Sequence, residues 1–294
     1  MLGKLLKYEL KSTARLFLLM YAALLVVTII NMFIQPWGNG IDYSITTSSV
    51  SAVSVHTTGA STIRDFLSSI GIFLYMILVI AVFVMTIVIV VIRFYRMLGD
   101  EGYLWFTLPV TANQHVLGKL IVSLLWFVAS CLVVCLSVVL LFLPSGSLEA
   151  CSYGWSLMVT YGYDPGNWLL CSIVVSLISW LATVLTFYAA IAIGPNIIKS
   201  RLGGSVVVYI AIYFVLQIVS TLGVFLIIAL LQGQIEMLMP GDNPLAMMVM
   251  PTTVAAVNQI VLVSSLTLCV GEVVLAVILY VLTRYFLTRK LNLA

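Results

Sequence analysis

Six stretches, at about 16–34, 66–92, 120–143, 168–193, 205–231 and 260–282, carry one charged residue between them, Glu272. Each is long enough to cross a hydrocarbon core of about 30 Å as a helix rising 1.5 Å per residue. Inside lipid a segment must satisfy its own backbone N–H and C=O groups, and for isolated apolar runs of this length the helix does that. Composition agrees, at 63% hydrophobic and 8% charged, against roughly 45–50% and 25% in soluble domains. The expectation is an all-α integral membrane protein, one transmembrane domain over residues 1–294. That length leaves no room for an additional soluble catalytic domain of about 100–150 residues.

Charge sets the topology. With six spans and both termini in the cytoplasm, all 13 Lys and Arg residues except Arg64 fall on the cytoplasmic side, which the positive-inside rule favours over the inverted arrangement. The basic residues are therefore topological, and the net charge of +3 gives no reason to expect a nucleic-acid partner. In residues 1–15, Lys4, Lys7, Lys11 and Arg15 recur at three- and four-residue steps, while Leu2, Leu5, Leu6 and Leu10 lie off that stripe. This pattern predicts an amphipathic elbow helix on an anionic cytoplasmic leaflet. A secretory signal is the competing reading. The run 16–34 is longer than a usual h-region and no small-residue cleavage site follows it.

The one long polar segment with both charge signs is 93–119, RFYRMLGDEGYLWFTLPVTANQHVLGK. Arg93 and Arg96 close the second span and Lys119 opens the third, which places the segment in the cytoplasm. Gly99 breaks the outgoing helix. Asp100 and Glu101 then suit the N-terminus of a short element, Tyr103, Leu104, Trp105, Phe106, Thr107 and Leu108, which Pro109 ends. A short aromatic helix of this kind lies in the interface, caps the bundle or docks onto a soluble partner.

Elsewhere the chemistry is sparse. No GxxxxGK[ST], HExxH, GxSxG or GxGxxG run occurs, and His56 and His115 are far apart in the topology. The chain is read as no enzyme by itself. Cys131, Cys135, Cys171 and Cys269 fall in spans, where packing explains them, and Cys151 has no loop partner. Glu272 sits mid-span with no Lys or Arg in any of the six stretches to pair with it. An ionised carboxylate there costs about 2.5–3.5 kcal/mol or more, so it is either a proton-linked pathway residue or a neutral acid bonded between helices. Ser172, Ser176, Ser179, Thr183 and Thr186 form a small hydroxyl stripe expected at a helix–helix contact. Tyr209, Tyr213, Gln217 and Ser220 form a bulkier one, open to lining a substrate path or to packing. The connections 35–64, 144–167 and 232–259 read as outer loops, the first with a Ser/Thr-rich run at 44–62. Trp155 and Trp168 suit an aromatic belt, and the Met-rich piece 245–250 is either a short re-entrant helix or plain loop.

The opening MLGKLLKYELKSTAR, the central LGDEGYLWFTLPVTANQHVLGKL and the closing LTRYFLTRKLNL together resemble the permease subunit of ABC-2 type ATP-binding-cassette exporters, in the form common in Gram-positive bacteria. The GDEGYL-then-TLP pattern between spans two and three carries the resemblance most specifically, and the likeness runs end to end. It implies an elbow helix over Lys4–Arg15, a coupling helix at about Asp100–Leu108 that docks onto a separate ATPase, and a short outer helical pair within 232–259. The Ser/Thr-rich first outer loop departs from the family's pattern.

The resemblance further implies two permease chains, identical or related, in a bacterial plasma membrane, with spans two and five of each facing a central path. Two ATPase subunits, carrying the ATP and Mg that this chain does not bind, would close on ATP and push the coupling helices together. In that reading Asp100 and Glu101 contact the ATPase, Tyr103, Leu104, Trp105 and Phe106 form the apolar knob with Leu108 beyond it, and Pro109 sets its end. The apolar spans favour a hydrophobic or amphipathic cargo, with antimicrobial or toxin peptides the leading class. An ion-coupled secondary carrier using Glu272, and a non-transporting scaffold or immunity protein, are the alternatives. A carrier is often built from inverted repeats, and the sequence shows no convincing one.

Overall fold

In the computed structural model, residues 2–34, 62–98, 112–143, 147–197, 200–238 and 250–289 are described. They are helical, with no strand among them: α1 Leu2–Ile34, α2 Thr62–Leu98, α3 Ala112–Phe142, α4 Ser147–Thr160, α5 Pro165–Ile193, a 3-10 turn Gly194–Asn196, α6 Arg201–Leu238 and α7 Met250–Arg289. Six of these are long and apolar enough to cross a membrane, all except α4 and the 3-10 turn. The chain is a multi-pass membrane protein by this measure.

The helices outrun the sequence-predicted spans, because a helix does not stop where its hydrophobic run stops. Residues 1–15 and 16–34, read as an elbow helix and a span, are one unbroken helix from Leu2 to Ile34. Nothing in that sequence supplies a breaker: there is no proline, and Gly3 is its only glycine. The expected outer loop 144–167 contains α4, and its Trp155 is exposed on that helix. Helix α6 continues to Leu238 and α7 begins at Met250. The 232–259 region is therefore mostly the extended ends of two spans, and a separate helical pair is not seen among the described residues. The Ser/Thr-rich run, apart from Thr62 at the start of α2, and the piece 245–249 lie outside the described residues.

Two compact units divide the chain, 11–85 with 128–154 and the remainder. In the first, every pair among α1, α2 and α3 shares a polar rung. Tyr21 and Ser130 share a hydrogen bond of 2.7 Å, and Tyr75 and Ser137 one of 2.9 Å. Asn31 donates to the Gly71 carbonyl at 3.0 Å. The α1 row Thr13, Phe17, Tyr21, Leu24, Thr28 and Asn31 is buried, while Leu16, Leu18 and Leu19 are exposed. This is the reverse of a soluble helix. Lipid gains nothing from burying leucine, so polar and aromatic groups mark the packed face.

In the second unit α5 is the central element and packs against α6 and α7. Its C-terminal half, from Trp180 to Ala192, is mostly buried and alternates large side chains with alanines at 182, 189, 190 and 192. Phe94 of α2 stacks on Tyr188 at 3.9 Å between ring centroids, and Phe127 of α3 stacks on Trp180 at 4.3 Å.

Candidate functional site

The second unit holds a buried charge cluster beside the Phe94–Tyr188 stack. Its centre is Glu9, only 8% exposed although it stands in the basic N-terminal stretch. Helix α1 presents it on the 9, 13, 17, 21 row, the buried face. Arg93 of α2 donates through Nη1 to Glu9 Oε2 and to the Glu9 backbone carbonyl at 3.0 Å. Lys119 of α3 donates through Nζ to Glu9 Oε1 at 3.2 Å and reaches the Arg93 carbonyl at 3.4 Å. One carboxylate thus engages two cations, one on each oxygen, and three helices meet at it. Lys119 is 7% exposed and Arg93 24%.

These charges sit near the ends of their spans. The candidate membrane segments of α1, α2 and α3 are Lys7–Ile34, Phe66–Met97 and Val116–Phe142. Glu9, Arg93 and Lys119 each lie within about one turn of a segment end, at the edge of the hydrocarbon rather than in its middle. Burying ions is expensive unless each is paired and hydrogen-bonded. Here the pairing is supplied by a helix distant in sequence, which makes the cluster a registry device for the three helices.

Sequence reasoning assigned Arg93 and Lys119 to topology and passed over Glu9. It placed the one buried charge at Glu272 instead. Glu272 is half-buried, and among the described residues it makes no hydrogen bond or ion pair. The signal that would have found the cluster was a lone acid in step with Thr13, Phe17 and Tyr21, on the face turned away from lipid.

The other predicted positions separate. Lys7, Lys11 and Arg15 are exposed, as a solvated stripe requires, and the Lys4 side chain is outside the described residues. So are Asp100, Glu101, Tyr103, Leu104, Trp105, Phe106, Leu108 and Pro109. Tyr209 stacks on Phe187 of α5 at 4.6 Å, whereas Tyr213, Gln217 and Ser220 are exposed on α6. That stripe therefore encloses no path within the second unit. The hydroxyl stripe of α5 is a correction: Ser172, Ser176 and Thr183 are exposed and bond back to carbonyls of their own helix. Only Thr186, at the crowded end, is buried. Among the described residues no group of three His, Cys, Asp or Glu side chains is placed to hold a metal.

Comparison with family models, with curated proteins and with solved structures finds no match. Fold and site together define the class: a helical multi-pass membrane protein with a buried ionic cluster where its first three helices approach one membrane surface.

Proposed function

We propose that the chain is the membrane subunit of an ATP-binding-cassette exporter and moves a hydrophobic or amphipathic cargo, of which an amphipathic peptide is the leading candidate, out of a bacterial cell. Two copies, identical or related, and two separate ATPase subunits complete the machine. The observation that carries the reading is the setting of the LGDEGYLWFTLP segment. The helices that lead into and out of it carry Arg93 in the last turns of α2 and Lys119 in the first turns of α3, and both cations are held by Glu9. A segment that receives force from a soluble partner needs such a rigid seat, because a yielding one dissipates the push. The resemblance supplies the partner, an ATPase, and the orientation, termini inside.

The test is co-purification in mild detergent from the native membrane. A P-loop ATPase is expected with the unaltered chain and absent from the Asp100→Lys, Trp105→Ala double variant, with the melting temperature of that variant in detergent as the check that its fold is intact. Retention of the ATPase by that variant, or its absence from both, sinks the coupling assignment.

A second reading has one observation in its favour, Glu272, which is half-buried and makes no ion pair among the described residues. If the chain is a proton-coupled carrier, Glu272→Gln abolishes transport into membrane vesicles that contain no ATP. Under the exporter reading the same variant keeps most of its ATP-driven transport, since a neutral amide fills the same space.

A further inference from the structure

The start of α5 and the first turns of α7 line a half-open cavity of about 370 Å³ that the exporter reading does not use. It falls within the range of small-molecule sites, roughly 300–1,000 Å³. Its polar end is fixed by Asn258 of α7, whose Nδ2 donates to the Gly162 carbonyl at 3.0 Å and whose Oδ1 accepts from the Asp164 backbone N–H at 3.3 Å. Gly162 has φ of +86°, the left-handed turn that brings the chain from α4 into α5. Both bonds go to backbone, so they engage neither the Asp164 carboxylate nor the Asn167 and Gln259 amides, while the Trp168 ring packs edge to face with Tyr163 at 5.6 Å between centroids.

Among the described residues, Asp164 is the only charged one that lines the cavity. It precedes α5 without capping it, and its carboxylate makes no hydrogen bond or ion pair among the described residues. The amides of Asn167 and Gln259 lie at the same polar end, with the Trp168 ring beside them. Cys171, Val261 and Leu262 form the deeper apolar end. Cys171 is six residues into a span that opens at Pro165, which puts it roughly 9 Å along the helix at 1.5 Å per residue. The cavity is polar where the span begins and apolar where it enters lipid.

We propose that this cavity binds a cationic amphiphile, an alkylammonium whose head rests against Asp164 and whose chain lies along Val261 and Leu262. The carboxylate supplies the counter-charge, and the Trp168 face adds a cation–π attraction. An anionic head would meet the carboxylate. A zwitterionic phospholipid head would bring a phosphate to a cavity that no Lys or Arg lines among the described residues. A net cation is the head-group class that the carboxylate of Asp164 favours by charge, with the Asn167 and Gln259 amide oxygens free to accept from its N–H groups. The amphiphile enters from the bilayer, since the apolar end lies within the span.

The experiment uses the full chain in phosphatidylcholine nanodiscs, with radiolabelled dodecylamine as probe and empty discs as background. Saturable binding is expected, displaced by unlabelled dodecylamine but not by dodecanol, dodecyl sulfate or lysophosphatidylethanolamine. Asp164→Asn is expected to weaken it about fivefold, the size of one partly exposed ion pair, with no change in thermal stability. Ala255→Trp, which fills the cavity from its exposed wall, removes the saturable component. Equal displacement by dodecanol or by lysophosphatidylethanolamine overturns the assigned head-group class. Wild-type binding by both variants overturns the site. Neither result depends on an ATPase, so failure here and failure of the exporter reading are separate.

Discussion

Glu9→Leu is expected to lower stability by about 3–5 kcal/mol, the usual penalty for leaving a buried charge without its partner. The carboxylate is an anion that Arg93 and Lys119 share, one on each oxygen, and Lys119 is 7% exposed. Without it, two cations face each other in a site from which water is largely excluded. The measurement is the apparent melting temperature in detergent, with an expected fall on the order of 10 °C. Two companion variants separate electrostatics from simple disruption. Glu9→Leu with Lys119→Met removes the more buried cation as well and should recover much of the loss, because an apolar replacement of a whole buried ionic group is often neutral. Arg93, at 24% exposure, can then turn toward water. Glu9→Lys with Lys119→Glu exchanges the signs and keeps one acid between two cations, so it too should recover. A Glu9→Leu chain that melts within a degree of the unaltered one would show that the cluster contributes nothing to register.

What the sequence made legible follows from where lipid enforces the answer. The six spans were visible because an apolar run in a bilayer has one way to satisfy its backbone. Their ends were not visible, because past the hydrocarbon edge polar residues stay helical: α2 covers 62–98 where the apolar run is 66–92. Glu9 was missed for a related reason. Lys4, Lys7 and Lys11 dominate a helix read for its membrane-facing charge, and an acid among them looks like one more solvated residue. Only the α1 row ending at Thr28 and Asn31, both nearly inaccessible, reveals that the face carrying Glu9 is the packed one. In α5 the mistake ran the other way. A hydroxyl stripe was expected to pack, yet serine and threonine bond the carbonyl three or four residues back and need no second helix. The side chains that do pack in α5 are alanines and aromatics, whose spacing alone does not distinguish them from lipid-facing neighbours.

Gly194→Ala and Gly204→Ala are each expected to destabilise the second unit by about 1–3 kcal/mol or more, as overpacking against an unyielding neighbour does. The neighbour is backbone. A Cβ built on Gly194 lies 2.6 Å from Ser205 Cα and 2.7 Å from the Gly204 carbonyl carbon, and one built on Gly204 lies 2.8 Å from the Gly194 carbonyl carbon and closer still to its oxygen. These two glycines let the 3-10 turn after α5 touch the first turn of α6, which sets how the two helices leave one another. Conformation is not the issue. Gly194 has φ −49° and ψ −49°, values that alanine adopts freely, so without the close approach the substitution would stabilise through the unfolded chain. Gly223 of α6 and Gly271 of α7 supply the comparison, since a Cβ at either meets nothing within 4 Å. Alanine there should stabilise by about 0.5–1 kcal/mol through helix propensity. The four variants, melted side by side, should split into two pairs of opposite sign. Should Gly194→Ala or Gly204→Ala rise with the controls, the turn must lie farther from α6 than a glycine–glycine contact, and the register of α5 against α6 would have to be set by side chains such as Phe187 and Tyr209 instead.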